Sequence, residues 1–370
     1  MKIIIIKNNL KEALSLIERA VGENQNLPIL KNILFDVDQN RITMTATNLE
    51  IAITVFVSGK IIEPGKTTIP AATFSSLVAN IPTERLNIEQ RKTNLEITTD
   101  NYEARIQITP TDDYPLIPKI KNTKHHLEIP GDVLRDALAQ VVVAAQPSDI
   151  RPELSSVLFV YSVDQLTLAA TDSFRLSERK IAKQHLKGTI AEPFKILVPL
   201  KTATELLRII RTNAPVKMFL DENQVLFSSE QFECISRLLM GSFPEYENLI
   251  PKKFTAEITT SREELLNALK LAGVFSSRVY EVKIRAPQNQ KNIEVFSVDQ
   301  TIGENNYRLP AQITGGIAEI CFNWRYLTDG LKTTTGESVF IGLNDENKPA
   351  LIRSKTSAAG TYVLMPILKV

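Results

Sequence analysis

The stretch ITMTATNLEI (residues 42–51) returns as LTLAATDSFRLSER (166–179), with Asn48 and Asp172 standing 124 positions apart. A fixed offset identifies duplicated architecture ahead of any single motif, because each copy is one folding unit built on the same apolar pattern. At that offset LPILKNILFDV (27–37) meets RPELSSVLFVY (151–161), pairing Pro28 with Pro152, Leu34 with Leu158 and Phe35 with Phe159. Leu10, Ala13 and Leu14 meet Leu134, Ala137 and Leu138. The offset then becomes 129, where KTTIPAATFSSL (66–77) matches KILVPLKTATEL (195–206), and DDYPLIP (112–118) resembles GSFPEYENLIP (241–251). A weaker third copy places IEVFSVD (293–299) 127 residues after LTLAATD, and EICFNWRYLTDGL (319–331) 124 after KILVPLKTATELL. Three units of about 124 residues account for nearly all of the 370. Polar, Pro- and Lys-bearing stretches near residues 122 and 253 set the expected domains at 1–122, 123–252 and 253–370.

Each unit reads alike: a strand, a helix, alternating strands, a second helix, then more strands. The first helix, LKEALSLIERAV, puts Ala13, Leu14, Ile17, Ala20 and Val21 on one face, which is therefore core. NLEITTD and YEARIQIT alternate strictly, as strands of a sheet with one buried side do. In LKTATELLRIIRT, Lys201, Arg208 and Arg211 fall within about 80° of one another at 100° per residue, opposite Ala203, Leu206 and Ile210. Arg325 and Lys332 occupy the matching helix of the third unit; Lys11 and Arg19, Arg135, and Arg262 and Lys270 occupy the first helices. One such face is what solvation alone requires. Recurrence across units points to a shared positive surface inside a protein whose net charge is +1.

Chemistry-bearing patterns are scarce. His125 and His126 fall in an expected linker and His185 in a polar loop, none at metal-ligand spacing. Asp112 and Asp113 read as a turn before a proline, and Gly315–Gly316 lacks the surroundings of a phosphate cradle. No nucleophile elbow is present. The expectation is a non-enzyme with no cofactor and no metal. Cys234 and Cys321 lie too far apart for a ligand pair and read as reduced core thiols. No stretch approaches the roughly 20 apolar residues of a membrane span, and MKIIIIKNNL turns polar too soon for a secretory leader, so a cytoplasmic location with no membrane partner is expected.

Taken together, LPILKNILFDV, LTLAATDSFRLSER, GSFPEYENLIP, FNWRYLTDGL and the closing TYVLMPILKV resemble the bacterial sliding clamps, the DNA polymerase III beta subunit family, over the whole chain. The resemblance implies an α+β DNA clamp fold: three similar domains, each with two helices packed on antiparallel sheets, arranged as a half ring. It implies a head-to-tail homodimer that encircles duplex DNA as a processivity factor. Lys11, Arg135, Lys201, Arg208, Arg211, Arg262, Lys270 and Arg325 are then candidate lumen charges. It further implies a pocket between the second and third domains, where the polymerase III alpha subunit, the clamp loader and other proteins insert a linear motif of Gln, Leu and Phe type. Matching positions are Arg151 and Leu154; Thr171, Ser173, Phe174, Arg175 and Leu176; Pro244, Asn248 and Leu249; and Val363, Leu364, Met365, Pro366 and Ile367.

Leu154, Leu176, Leu249, Leu364 and Met365 would form apolar walls, while Arg151 and Arg175 would orient the peptide. Ser173 and Phe174 stand where the family carries Gly and then a polar residue, and Asn248 where a basic residue is common. At the subunit contact the family pairs the last strand of the first domain with the start of the third. Here that implies Ala104, Ile106 and Ile108 facing Val274 and Phe275, although alternation also serves an internal sheet. The rival reading is a repeat scaffold that binds proteins without encircling DNA.

Overall fold

Strand-to-helix junctions set the architecture, and they recur six times. The computed structural model describes residues 1–190, 192–288, 290–356 and 359–368. Among them are six α-helices: α1 (Lys7–Ile17), α2 (Ala71–Asn80), α3 (Gly131–Val141), α4 (Leu200–Ile209), α5 (Arg262–Val274) and α6 (Trp324–Thr333). Each follows a strand directly or after one residue, the alternation expected from the sequence. Helices α5 and α6 are capped by side chains. Ser261 accepts from the Glu264 amide at 3.4 Å, and Asn323 accepts from Arg325 and Tyr326 at 3.0 and 3.4 Å, satisfying amides that the first turn leaves orphaned.

Two helices end earlier than their apolar pattern. Ala13, Leu14, Ile17 and Ala20 are buried as expected, but α1 stops at Ile17; Glu18–Ala20 form a 3₁₀ turn and Val21 is extended. The carbonyls of Ser15 and Leu16, which a longer helix would bond internally, receive the Arg208 guanidinium instead. Helix α4 ends at Ile209, so Arg211 lies beyond it; the chain runs on through RTNAP, and a residue preceding proline is driven out of helical geometry.

The chain divides into two compact units, one holding Met1–Leu134, Leu186–Ile190 and Thr204–Leu238, the other the described residues of 135–185, 191–203 and 239–370. The first contains a five-stranded sheet, running Gly59–Glu63, Lys2–Ile6, Arg85–Gln90, Asn94–Thr98, Glu103–Gln107, and a nine-stranded one. In the nine-stranded sheet Ile51–Val57 pairs antiparallel with Phe232–Arg237, joining strands of the first and second repeats without a break. The second unit is a twelve-stranded sheet system in which Arg175–Ala182 pairs antiparallel with Gly360–Leu364, joining the second repeat to the third. Gly303–Gly315 is one long strand. Its first part pairs with Asn292–Asp299 and its last residues pair with Ala256–Ser261. No helix among the described residues is long and apolar enough to cross a membrane.

Candidate partner groove, basic residues and open strand edges

The duplicated ATN/ATD segment is a turn closed by its own side chains. Asp172 Oδ1 accepts from the Phe174 and Arg175 amides, both at 2.9 Å, while Thr171 Oγ1 donates to the Arg175 carbonyl at 2.7 Å and accepts from the Ser173 amide at 3.2 Å. Asn48 repeats this with Glu50 and Ile51 at 3.0 Å each, and Thr47 with Ile51 and Leu49. In the third copy Asp299 accepts from Thr301 and Ile302 at 2.8 and 3.2 Å. A short acceptor one residue before the tip satisfies amides that the reversing backbone cannot pair, which is why Asn or Asp recurs there. The tip itself is left-handed, with φ of 77° at Ser173 and 78° at Leu49, the region that favours glycine. Ser173 thus holds a conformation that favours glycine.

That turn delivers residues 173–176 to the last strand. Arg175 stands opposite Leu364 and Leu176 opposite Val363, and the Met365 amide donates to the Phe174 carbonyl at 2.8 Å. Leu176 and Val363 belong to a cluster with Leu158, Ala169, Leu197, Phe243 and Tyr246, against which Leu239 and Ile250 pack. The Phe243 and Tyr246 rings meet edge to face at 5.9 Å. Phe243, Tyr246, Leu158 and Leu197 are not among the groove positions that the resemblance implies, though FPEY around Pro244 signals the first two. The Tyr246 hydroxyl donates to Glu178 at 2.9 Å; burial, then that carboxylate, pushes its pKa up and keeps it a donor.

The remaining positions divide by exposure. Leu154, Thr171, Leu364 and Pro366 are buried, Pro244 and Ile367 half-buried, and Asn248 exposed. Phe174 and Leu249, each 61% exposed, and the exposed Met365 are apolar side chains presented to solvent. Arg151 is exposed and donates to Ser173 Oγ at 3.1 Å and to Glu153 at 3.2 Å. Arg175 is otherwise engaged. With 11% of its side chain exposed, it donates to Asp172 at 2.8 Å and Asp329 at 2.6 Å and lies 4.1 Å over the Tyr326 ring. Its guanidinium fixes the turn against α6.

The basic residues also divide. Lys11, Lys201 and Lys270 are exposed and form no ion pair among the described residues. Arg211 is exposed and reaches Ser15 Oγ at 3.2 Å, and Arg325 is exposed over the Tyr280 ring at 3.6 Å. Arg135 is half-buried, 3.8 Å from Asp136. Arg208 pairs with buried Glu205 at 2.7 Å and donates to the Ser15 and Leu16 carbonyls at the end of α1, where the helix dipole favours a cation. Arg262 donates to the Gly336 and Leu331 carbonyls at 3.2 and 3.4 Å. These two arginines hold helix ends.

Several strands end their sheets with one neighbour only, Gly59–Glu63 and Ile317–Asn323 among them, and two such edges match the notional receiving and donating positions of the repeat. Among the described residues Glu103–Gln107 has a strand on one side only, and so has the first part of Gly303–Gly315. On the first edge Ile106 is buried and Ala104 and Ile108 half-buried. Beside the second, Phe275 is half-buried, with its ring at 3.7 Å from where a Cβ on Gly303 would stand, and Val274 is exposed at the end of α5. No group of three or more His, Cys, Asp or Glu side chains among the described residues could hold a metal ion. Burial, then Glu281, pushes the Cys321 thiol up to about 12, so it stays protonated and unreactive.

Three family models match consecutive stretches: DNA polymerase III beta subunit, N-terminal domain over residues 1–118, central domain over 128–245 and C-terminal domain over 247–368. The chain is similar to the beta sliding clamp of Bacillus subtilis, 29% identical over 380 residues, and to that of a Synechocystis strain, 27% identical over 390, covering 99% of each chain in both cases. The crystal structure of the DNA polymerase sliding clamp from Bacillus subtilis superposes with a TM-score of 0.92 at 28% identity, covering 100% of both chains. That of the DNA polymerase III beta subunit from Thermotoga maritima superposes at 0.90 with 24% identity, which speaks for the fold alone.

Proposed function

The chain belongs to the DNA polymerase III beta subunit family, the bacterial beta sliding clamps, and on that premise we propose how its own residues carry that function. A sliding clamp is a non-catalytic processivity factor of DNA replication. It closes a ring around duplex DNA and tethers the polymerase. The scaffold reading has no support among the relatives.

Two copies of the chain close the ring head to tail, on domains 1–122, 123–252 and 253–370. The observation that carries this is that, of the open edges, two stand at the positions where the other repeats pair with one another. Ile51–Val57 and Arg175–Ala182 follow the first two turns, and each pairs with a strand of the next repeat. Among the described residues the first part of Gly303–Gly315, which follows the third turn, pairs with no strand of another repeat, and neither does Glu103–Gln107, the strand that matches the receiving one. Unpaired edges of this kind are templates for another chain, and a head-to-tail contact that closes on itself leaves neither exposed. Ile106 and Phe275 supply apolar surface beside those edges.

A ring held by topology does not need strong phosphate contacts. A protein held by 6 to 10 of them loses roughly 10³ to 10⁵ in affinity between 50 and 200 mM salt, whereas a linked ring slides off only at an end. Lys11, Lys201 and Lys270, with Arg211 and Arg325, give the lumen its mild positive lining; Arg208 and Arg262 contribute field from fixed positions. The polymerase alpha subunit, the clamp loader and other partners insert an apolar motif at the 171–176 turn, anchoring on Phe174, Leu249 and Met365 above the Leu176–Val363 cluster. Their arrangement beside one cluster supports this, and Arg151, exposed and held only by Ser173 and Glu153, is placed to turn toward a Gln side chain. The setting is the cytoplasm. Loading onto nicked circular DNA tests the whole reading: the protein stays on the circle and leaves after linearisation, and equal loss from both forms would overturn it.

A further inference from the structure

We propose that Ser173 is a positioning residue for partner recognition: its hydroxyl holds the Arg151 guanidinium at the rim of the groove, where it meets the side-chain amide oxygen of the Gln in the partner's motif. This deepens the groove reading above and rests on it. The two copies of the turn separate what the backbone needs from what the side chains add. Leu27 and Arg151, 124 positions apart, each enter a 3₁₀ turn through a proline and share one backbone conformation, φ −132° and ψ 73° against φ −130° and ψ 75°. Leu49 and Ser173, again 124 apart, sit at the two left-handed tips, with φ of 78° and 77°. The first copy thus folds with two leucines where the second has an arginine and a serine. Neither the tip nor the 3₁₀ entry requires a polar side chain at these positions.

In the second copy the two polar side chains find each other. Arg151 Nη1 donates to Ser173 Oγ at 3.1 Å, and Nε donates to Glu153 at 3.2 Å. The backbone beneath is fixed as well, since the Arg151 amide donates to Ser148 Oγ at 3.1 Å and the Ser148 amide donates to Ser155 Oγ at 2.6 Å. On the other side, the Ser173 amide donates to Thr171 Oγ1 at 3.2 Å. A guanidinium carries its N–H donors in one plane, so holding it through Nε and Nη1 gives Nη2 a set direction, and Nη2 has no partner among the described residues. Arg151 and Ser173 are both exposed beside Phe174, an anchor at the mouth of the groove. A free donor next to an apolar anchor matches an acceptor next to Leu and Phe. Glu153 already offsets the charge of Arg151, which favours a neutral carboxamide over a carboxylate. Held before the partner arrives, the side chain loses little rotational freedom on binding.

The experiment is fluorescence anisotropy of the full chain with two labelled peptides, a Gln-Leu-Phe-type motif and the same motif with Ala for Gln, read as the ratio of their dissociation constants. Wild type prefers the Gln peptide roughly tenfold, the scale of one hydrogen bond to a charged group. Ser173→Gly suits the left-handed tip and keeps the fold, yet it frees the guanidinium and lowers the ratio to about threefold or less. Arg151→Ala abolishes the preference, and adding Ser173→Gly to it changes the ratio no further. An unchanged ratio in Ser173→Gly, a further drop when it is added to Arg151→Ala, or a wild type that binds both peptides equally would each overturn the proposal. A wild type that binds neither peptide would instead overturn the groove reading, and the role of Ser173 with it.

Discussion

Asp172 shows how much one side chain sets. Its carboxylate holds two turn amides and the Arg175 guanidinium, and Arg175 in turn reaches Asp329 on α6. Asp172→Ala leaves a largely buried cation short of a partner and two amides unbonded, and urea unfolding should register a loss of about 3 kcal/mol. Ser173→Gly works the other way: a left-handed tip costs a side chain roughly 1 kcal/mol, so stability stays level or rises by up to that amount. The recurrence of Asn or Asp was legible in sequence as a repeat, but the turn it closes was recognised only from its hydrogen bonds. The role of Arg208 was not legible, for its partners Ser15 and Leu16 lie far away along the chain and helical periodicity records only which way a side chain points.

At the level of elements, the strand Gly360–Leu364 lies beside Arg175–Ala182, and the proposed partner groove lies where the turn, the FPEY segment and this strand share one apolar cluster. Leu176, Leu364 and Val363 are too buried to be altered without disturbing that core, whereas Leu249 and Met365 are exposed. Leu249→Asp with Met365→Asp should weaken a fluorescent Gln-Leu-Phe-type peptide at least tenfold by anisotropy, while the urea midpoint stays put. An unfolded variant or unchanged affinity would move the groove elsewhere. Apolar periodicity found the helices but overran α1 and α4, since it cannot see a guanidinium taking helix carbonyls or weigh the effect of Pro215 on its neighbours.

Over the whole molecule the question is what keeps a nearly neutral protein on a polyanion. If the linkage is topological, retention of wild type on nicked circles should change little between 50 and 200 mM salt so long as the dimer itself persists, and Lys11→Glu, Lys201→Glu and Lys270→Glu together should lower loading several-fold without altering the dimer. A retention time that fell with salt as steeply as phosphate binding would count against encirclement. Repetition, with its recurrent Asn or Asp, strand alternation and the scarcity of catalytic patterns were properties of the chain itself, because they depend on spacing along the sequence. Which arginines stay free, which apolar residues reach solvent and which strand edges lack a partner were decided only by tertiary packing, because each depends on what a distant segment brings to within a few ångströms.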